Sequence, residues 1–224
     1  MAKITASRTF ALVVAVLSAA GFLLLVGLLP SVAKASDQQI VVKAAVEIVA
    51  TLALLYGLIR WGGVAPEALG VRRLRLASVG WGLVCFIATA VLSAIVVYGF
   101  AHFGIGQDMG TLAALASHPV PIILLIAAMA GIAEEIVFRA VLISQLETAT
   151  GSAWLAGLIS LIVFALAHAA GWGPWQILFA AVPGLVLTIF FVWKRDLWIC
   201  ILAHFLTDAL GLLAAAANLA HHHP

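Results

Sequence analysis

The side chains capable of chemistry fall in three short patterns. Glu134, Glu135, Phe138 and Arg139 stand in the stretch AGIAEEIVFRAVL; Phe164 and His168 lie four residues apart in a second apolar run; His204 and Asp208 lie four apart in a third. A charged side chain at the centre of a membrane helix costs about 2.5–3.5 kcal/mol on insertion scales, so such groups pair, line a wet interior or take part in function. Adjacent helical residues point about 100° apart, so Glu134 and Glu135 face different ways. Glu135 and Arg139, acid first at i, i+4, have the spacing of an ion pair that relieves two desolvation penalties at once. Glu134 is then the free carboxylate, aimed at His168 and His204. Lys43 and Glu47 share the i, i+4 spacing and read as a structural pair.

A carboxylate in an apolar pocket is a competent general base near neutral pH. A water held between Glu134 and a histidine would attack a carbonyl, and a second histidine would stabilise the resulting oxyanion. Asp208 would fix the tautomer of its histidine or, protonated, donate a hydrogen bond itself. Ser144 and Thr207 lack an obvious base, so no covalent nucleophile is evident. The alternative is a metal: Glu134, His168 and His204 have the donor types of a catalytic zinc shell with an open position, although the chain has no HExxH or other close-spaced ligand pair.

These residues need elements that hold them in lipid. The chain has 224 residues, 65% hydrophobic and 9% charged, with a mean hydropathy of +1.22. Too few polar side chains remain to cover a soluble domain. Seven apolar runs, at 8–29, 40–59, 77–101, 119–146, 152–170, 174–193 and 197–217, are near the 20 residues or so that span a bilayer. They do not alternate as barrel strands do, so the fold class is an all-α polytopic bundle of about seven spans. The first run exceeds the h-region of a signal peptide and reads as an uncleaved span, despite Lys3, Arg8 and the sequence Ala33-Lys34-Ala35. The loop from His102 to His118 has no Lys or Arg, whereas Arg60, Arg72, Arg73, Arg75, Lys194 and Arg195 gather on the other side with the N-terminus, which is therefore expected in the cytoplasm. Trp61, Trp81, Trp172, Trp175, Trp193 and Trp198 lie near predicted span ends as an aromatic belt, and Pro183-Gly184 suggests a kink in the sixth span. With straight helices, His168 falls near the outer end of its span while Glu134 and His204 lie deeper.

Cys85 and Cys200 sit in apolar runs as small hydrophobes, and no broad basic face suggests nucleic acid. No polar linker divides the chain. One membrane domain is expected, with an N-terminal region at 1–118, a catalytic core at 119–217 and a tail at 218–224, whose HHHP ending is set aside.

Glu-Glu-x-x-Phe-Arg, then Phe-x-x-x-His, then His-x-x-x-Asp, in this order over roughly Pro119 to Leu210, resembles the CPBP family, the CAAX prenyl protease type II and bacteriocin-processing (Abi) intramembrane endopeptidases. The resemblance implies an endopeptidase of the bacterial inner membrane acting on a membrane-associated peptide or protein, with Glu134 as the water-activating base, His168 assisting, and His204 with Asp208 at the oxyanion site. Glu135, Arg139, Phe138 and Phe164 then support the structure. The family has been described both as metalloproteases and as metal-independent glutamate-type proteases; the missing close-spaced ligands favour the route without a cofactor, with a divalent metal such as zinc as the alternative. Ala140 stands where a Gly is common, and Asp208 where Asn often stands. An ionised Asp opposes an oxyanion, so Asp208 is expected to be protonated, metal-bound or paired to His204. The competing functions are a non-catalytic immunity or binding protein, and a proton-coupled transporter, for which no internal repeat is evident. Oligomeric state and substrate identity are not legible.

Overall fold

The computed structural model describes residues 7–222, with side chains except at 170, 171 and 222; Lys3 and the last two tail residues lie outside the described residues. The chain is an all-α bundle. Its helices are α1 (Arg8–Leu28), α2 (Asp37–Arg60), α3 (Leu76–Ala101), α4 (Met109–Ala116), α5 (Val120–Glu134), α6 (Ser144–Thr150), α7 (Ala153–Trp172), α8 (Gln176–Lys194) and α9 (Leu197–His222), and a π-helical segment at Glu135–Ile143 joins α5 to α6 in one rod. Six helices are long and apolar enough to cross a membrane, the rod Val120–Thr150 counting as one, and α7 is a shorter apolar helix completing the seven expected runs.

Local chemistry sets the helix starts. Ser7 caps α1 and Ser152 caps α7, while Ser36 and Gln39 close a capping box on α2. The stretch from His102 to His118, expected to be a plain loop, contains α4. Asp108 starts it: Oδ2 accepts from the Thr111 hydroxyl at 2.6 Å and Oδ1 from the Gly110 and Thr111 amides. The bonds from Thr111 hold the Asp108 carboxyl below its ordinary range. The apolar, alanine-rich length of α4 then packs on α9.

The rod is the axis of the bundle. α1, α7 and α9 pack on its π segment, α2 and α9 on α5, and α1 on α6. One core runs through early and late helices alike, joining Ala15, Phe22, Leu58 and Cys85 to Val137, Phe191 and Cys200. Conversely, α1 and α3 turn Leu17, Leu24, Ile87 and Ile95 outward, a surface that suits lipid. Lys43 and Glu47 are both buried on α2 and pair at 2.7 Å.

The rod continues to Thr150, beyond the predicted end at 146, and turns at Gly151, whose φ of 78° is the left-handed cap that glycine takes at low cost. Glu134 and His168 are equally far in sequence from this turn, on antiparallel neighbours. They lie at one level, so the predicted depth mismatch is corrected by the longer rod.

Candidate active site

Glu134 is the last α-helical residue of α5 and Glu135 the first of the π segment. All nine π residues are buried, so protein encloses this stretch on every side. A π turn bonds i to i+5 and widens the helix locally. The carbonyl of Phe138 within it accepts from the Ser160 hydroxyl of α7 at 2.7 Å.

Glu135 and Arg139 are fully buried and pair at 2.8 Å between Oε1 and Nη1. Arg139 also donates from Nη2 to the Gly184 carbonyl of α8 at 3.2 Å, and its guanidinium lies 4.4 Å from the centre of the Phe164 ring. Phe164 is thus a hub. It meets Phe138 edge-on at 5.2 Å, His168 at 4.5 Å and His204 at 6.4 Å. Gly184 allows this, since a Cβ there would stand 2.9 Å from the Phe164 ring.

His204 does not turn to Glu134 as expected. Its Nδ1 lies 2.7 Å from Oε1 of Glu135, the oxygen that Arg139 also uses. The reason lies one turn earlier. A Cβ on Gly131 would stand 3.1 Å from the amide nitrogen of Phe205, so only a bare backbone lets α5 and α9 come this close. Glu135 is therefore more than a partner for Arg139: it also fixes α9 through His204. A carboxylate only accepts, so Nδ1 of His204 carries the proton. Nε2 faces Oδ2 of Asp208 at 3.5 Å, at the edge of hydrogen-bonding range.

On the other side of the hub, Nδ1 of His168 lies 2.9 Å from the Phe164 carbonyl, which can only accept. Nδ1 is again the donor, and in the neutral ring Nε2 is left as an acceptor. Nε2 points at Oε2 of Glu134 across 3.8 Å, too long for a direct bond and suited to a bridging water. That oxygen is shielded and has no other hydrogen-bond partner. The Glu134 and His168 side chains are each 22% exposed and Asp208 is 35%, against 0% for Glu135, so the first three border an open space and the last does not.

Among the described residues, no three His, Cys, Asp or Glu side chains form a group able to hold a metal ion. The set Glu134, His168 and His204 is not such a group, and the bond from Nδ1 of His204 to Glu135 leaves Nε2 as its free ring nitrogen. No step below is routed through a metal. Gly131 escaped the sequence reading, and Gly184 entered it only as part of a kink with Pro183, not as the contact for Phe164. The only available signal was a small residue one turn before a buried acid, and a glycine beside a helix-breaking proline.

Residues 116–210 match the family model described as type II CAAX prenyl endopeptidase Rce1-like. No curated protein and no solved structure matches the chain.

Proposed function

Because residues 116–210 match the type II CAAX prenyl endopeptidase Rce1-like family model, we propose that the chain hydrolyses a peptide bond of a membrane-associated peptide or protein, with Glu134 as the base that activates water. The observation carrying this reading is the unpartnered Oε2 of Glu134 facing Nε2 of His168 at 3.8 Å, close enough for one water beside the pair to touch both.

A water beside that pair donates one hydrogen to Glu134 and the other to Nε2 of His168. Its lone pair attacks the scissile carbonyl while Glu134 takes the proton. His168 holds the water's orientation, since its Nδ1 proton is already engaged by Phe164. The oxyanion that forms needs fixed donors. His204 supplies one from Nε2–H in its imidazolium form, with Nδ1–H held by Glu135. Glu134, now protonated, returns the proton to the leaving nitrogen, and the C–N bond breaks. Asp208, one turn further along α9, faces Nε2 of His204 at 3.5 Å and, if it carries a proton, donates to the same oxyanion. The bundle sits in a bacterial inner membrane, with the arginine-rich end in the cytoplasm.

The test is cleavage of candidate membrane peptides by purified wild type and Glu134→Ala, with and without chelator. The expected result is a loss of about 10²–10⁴-fold in Glu134→Ala, the usual range for a positioned acid–base group, and no chelator effect. Equal cleavage by the two proteins overturns the assignment, and chelator sensitivity overturns the metal-free route.

A further inference from the structure

We propose that the groove between α3 and α9, beneath Arg72, Arg73 and Arg75, binds an anionic diacyl phospholipid, with a hydrocarbon chain in the groove and the headgroup on the arginines. The groove has a volume of about 220 Å³ and is walled by Leu74, Val79, Trp198, Ile201, Leu202 and Phe205. Leu74 and Trp198 are exposed at its rim. The polar side chain at its edge, Ser78, is already spent on Asp196 at 2.6 Å. What remains is an apolar slot on the lipid-facing side of the bundle.

The charge above it is complementary to phosphate. Arg72, Arg73 and Arg75 are exposed, and none has a carboxylate within ion-pair distance among the described residues. Two other cations at this end are occupied: Arg195 pairs with Glu147 at 2.6 Å, and Lys194 lies between Trp81 and Trp193 at 3.6 and 3.4 Å from their ring centres. Asp196, the acid bonded to Ser78 at the groove's edge, accepts from the Ser78 hydroxyl and from the Trp198 amide.

The three arginines are also held in place relative to the groove. The Leu197 amide donates to the Gly70 carbonyl at 2.9 Å, and the Trp198 indole donates to the Arg72 carbonyl at 2.9 Å. Trp198 therefore lines the slot and anchors the basic loop at once. Basic clusters at this end of a membrane bundle attract anionic headgroups, at a strength that grows with each cation. A zwitterionic lipid offers the same chain with no net charge, and free phosphate offers the charge with no chain. Only the combination satisfies both halves of the site. The bound chain would touch Phe205, whose backbone abuts Gly131, so the lipid would brace the helix that carries His204.

The experiment is native mass spectrometry of the full chain in detergent, titrated with phosphatidylglycerol, with phosphatidylcholine of identical chains, and with glycerol phosphate. Wild type is expected to retain phosphatidylglycerol well over the other two. Arg72→Gln/Arg73→Gln/Arg75→Gln is expected to weaken phosphatidylglycerol retention on the order of a hundredfold and bring it to the phosphatidylcholine level. Val79→Trp, which fills the slot, is expected to weaken both phospholipids while leaving the lipid-free melting temperature and circular dichroism unchanged. Equal retention of the two phospholipids by wild type overturns the proposal, as does a triple variant that keeps the preference. Glycerol phosphate bound as tightly as the whole lipid removes the chain from it. A dimer that forms without lipid and is broken by Val79→Trp makes the groove a contact between copies instead.

Discussion

Replacing Glu135 by Gln separates the two neighbouring acids. Glu135 is fully buried and accepts from Arg139 at 2.8 Å and from His204 at 2.7 Å. Gln keeps the shape and one acceptor oxygen but loses the charge. Arg139 then remains as a buried cation with a carbonyl at 3.2 Å and an aromatic face at 4.4 Å as its other contacts. Removing one partner of a buried pair costs about 3–5 kcal/mol, mainly through the charge left behind. The Phe164 face and the Gly184 carbonyl offset part of this, so the expected loss is at the lower end, about 3 kcal/mol. Glu134 differs. It is 22% exposed and its Oε2 has no partner, so Glu134→Gln is expected to change stability by less than about 1 kcal/mol. Both variants are expected to lose cleavage, Glu134→Gln because the base is gone and Glu135→Gln because His204 is released. The assay is thermal or denaturant unfolding in detergent, alongside peptide cleavage on the folded fraction. Wild-type stability in Glu135→Gln refutes the reasoning, and so does a Glu134→Gln variant that is destabilised as much as Glu135→Gln.

Two further outcomes follow from α9. In Gly131→Ala the new Cβ meets the Phe205 backbone at 3.1 Å, so α9 must give by a few tenths of an ångström; overpacking of this kind costs about 1–3 kcal/mol, and cleavage should fall with it while the Glu134 region is untouched. Unchanged unfolding and cleavage would mean that the close approach does not set the His204 position. Asp208→Asn should keep cleavage within about tenfold of wild type, because an amide donates where a protonated acid would; a collapse of activity shows that the carboxyl is needed as an acid or as the partner of His204.

Much of the fold was legible because lipid admits few solutions. Apolar runs of span length must be helices, and six of the helices satisfy length and composition outright. The Glu135–Arg139 and Lys43–Glu47 pairs were legible for the same reason, since i, i+4 spacing is local and an unpaired charge there is costly. What was not legible depends on tertiary packing. The π register of Glu135–Ile143 leaves no mark on hydropathy, because every residue in it is buried whichever way it turns. The His204–Glu135 contact joins residues 69 positions apart and depends on one glycine letting two backbones touch. The rod's true end at Thr150 was hidden because Glu147 and Thr148 look like loop residues, although Gly151 is an ordinary helix stop.

The doubled glutamate has a physical reason once the partners are traced. A histidine that must present one nitrogen to a reacting oxyanion has to be held by the other, and in an apolar bundle the holder must accept strongly without moving. Glu135 meets that need for His204, but a lone buried carboxylate would bear its own desolvation cost. Arg139 offsets it four residues on, and Arg139 in turn needs the Phe164 face and the Gly184 carbonyl for what Glu135 leaves uncovered. Both donors use Oε1, and the other oxygen of Glu135 is buried without a partner; a proton taken there would cancel the charge that holds Arg139 and His204. The proposed base is instead a second acid, close by and free of strong donors. Glu134 stands one residue away, on the last α-helical turn before the π segment, with its open oxygen towards His168. On this reasoning, moving the positive charge from Arg139 to a position beside Glu134 should abolish cleavage of membrane peptides even if the fold survives, because the base would then be held by a strong donor just as Glu135 is now.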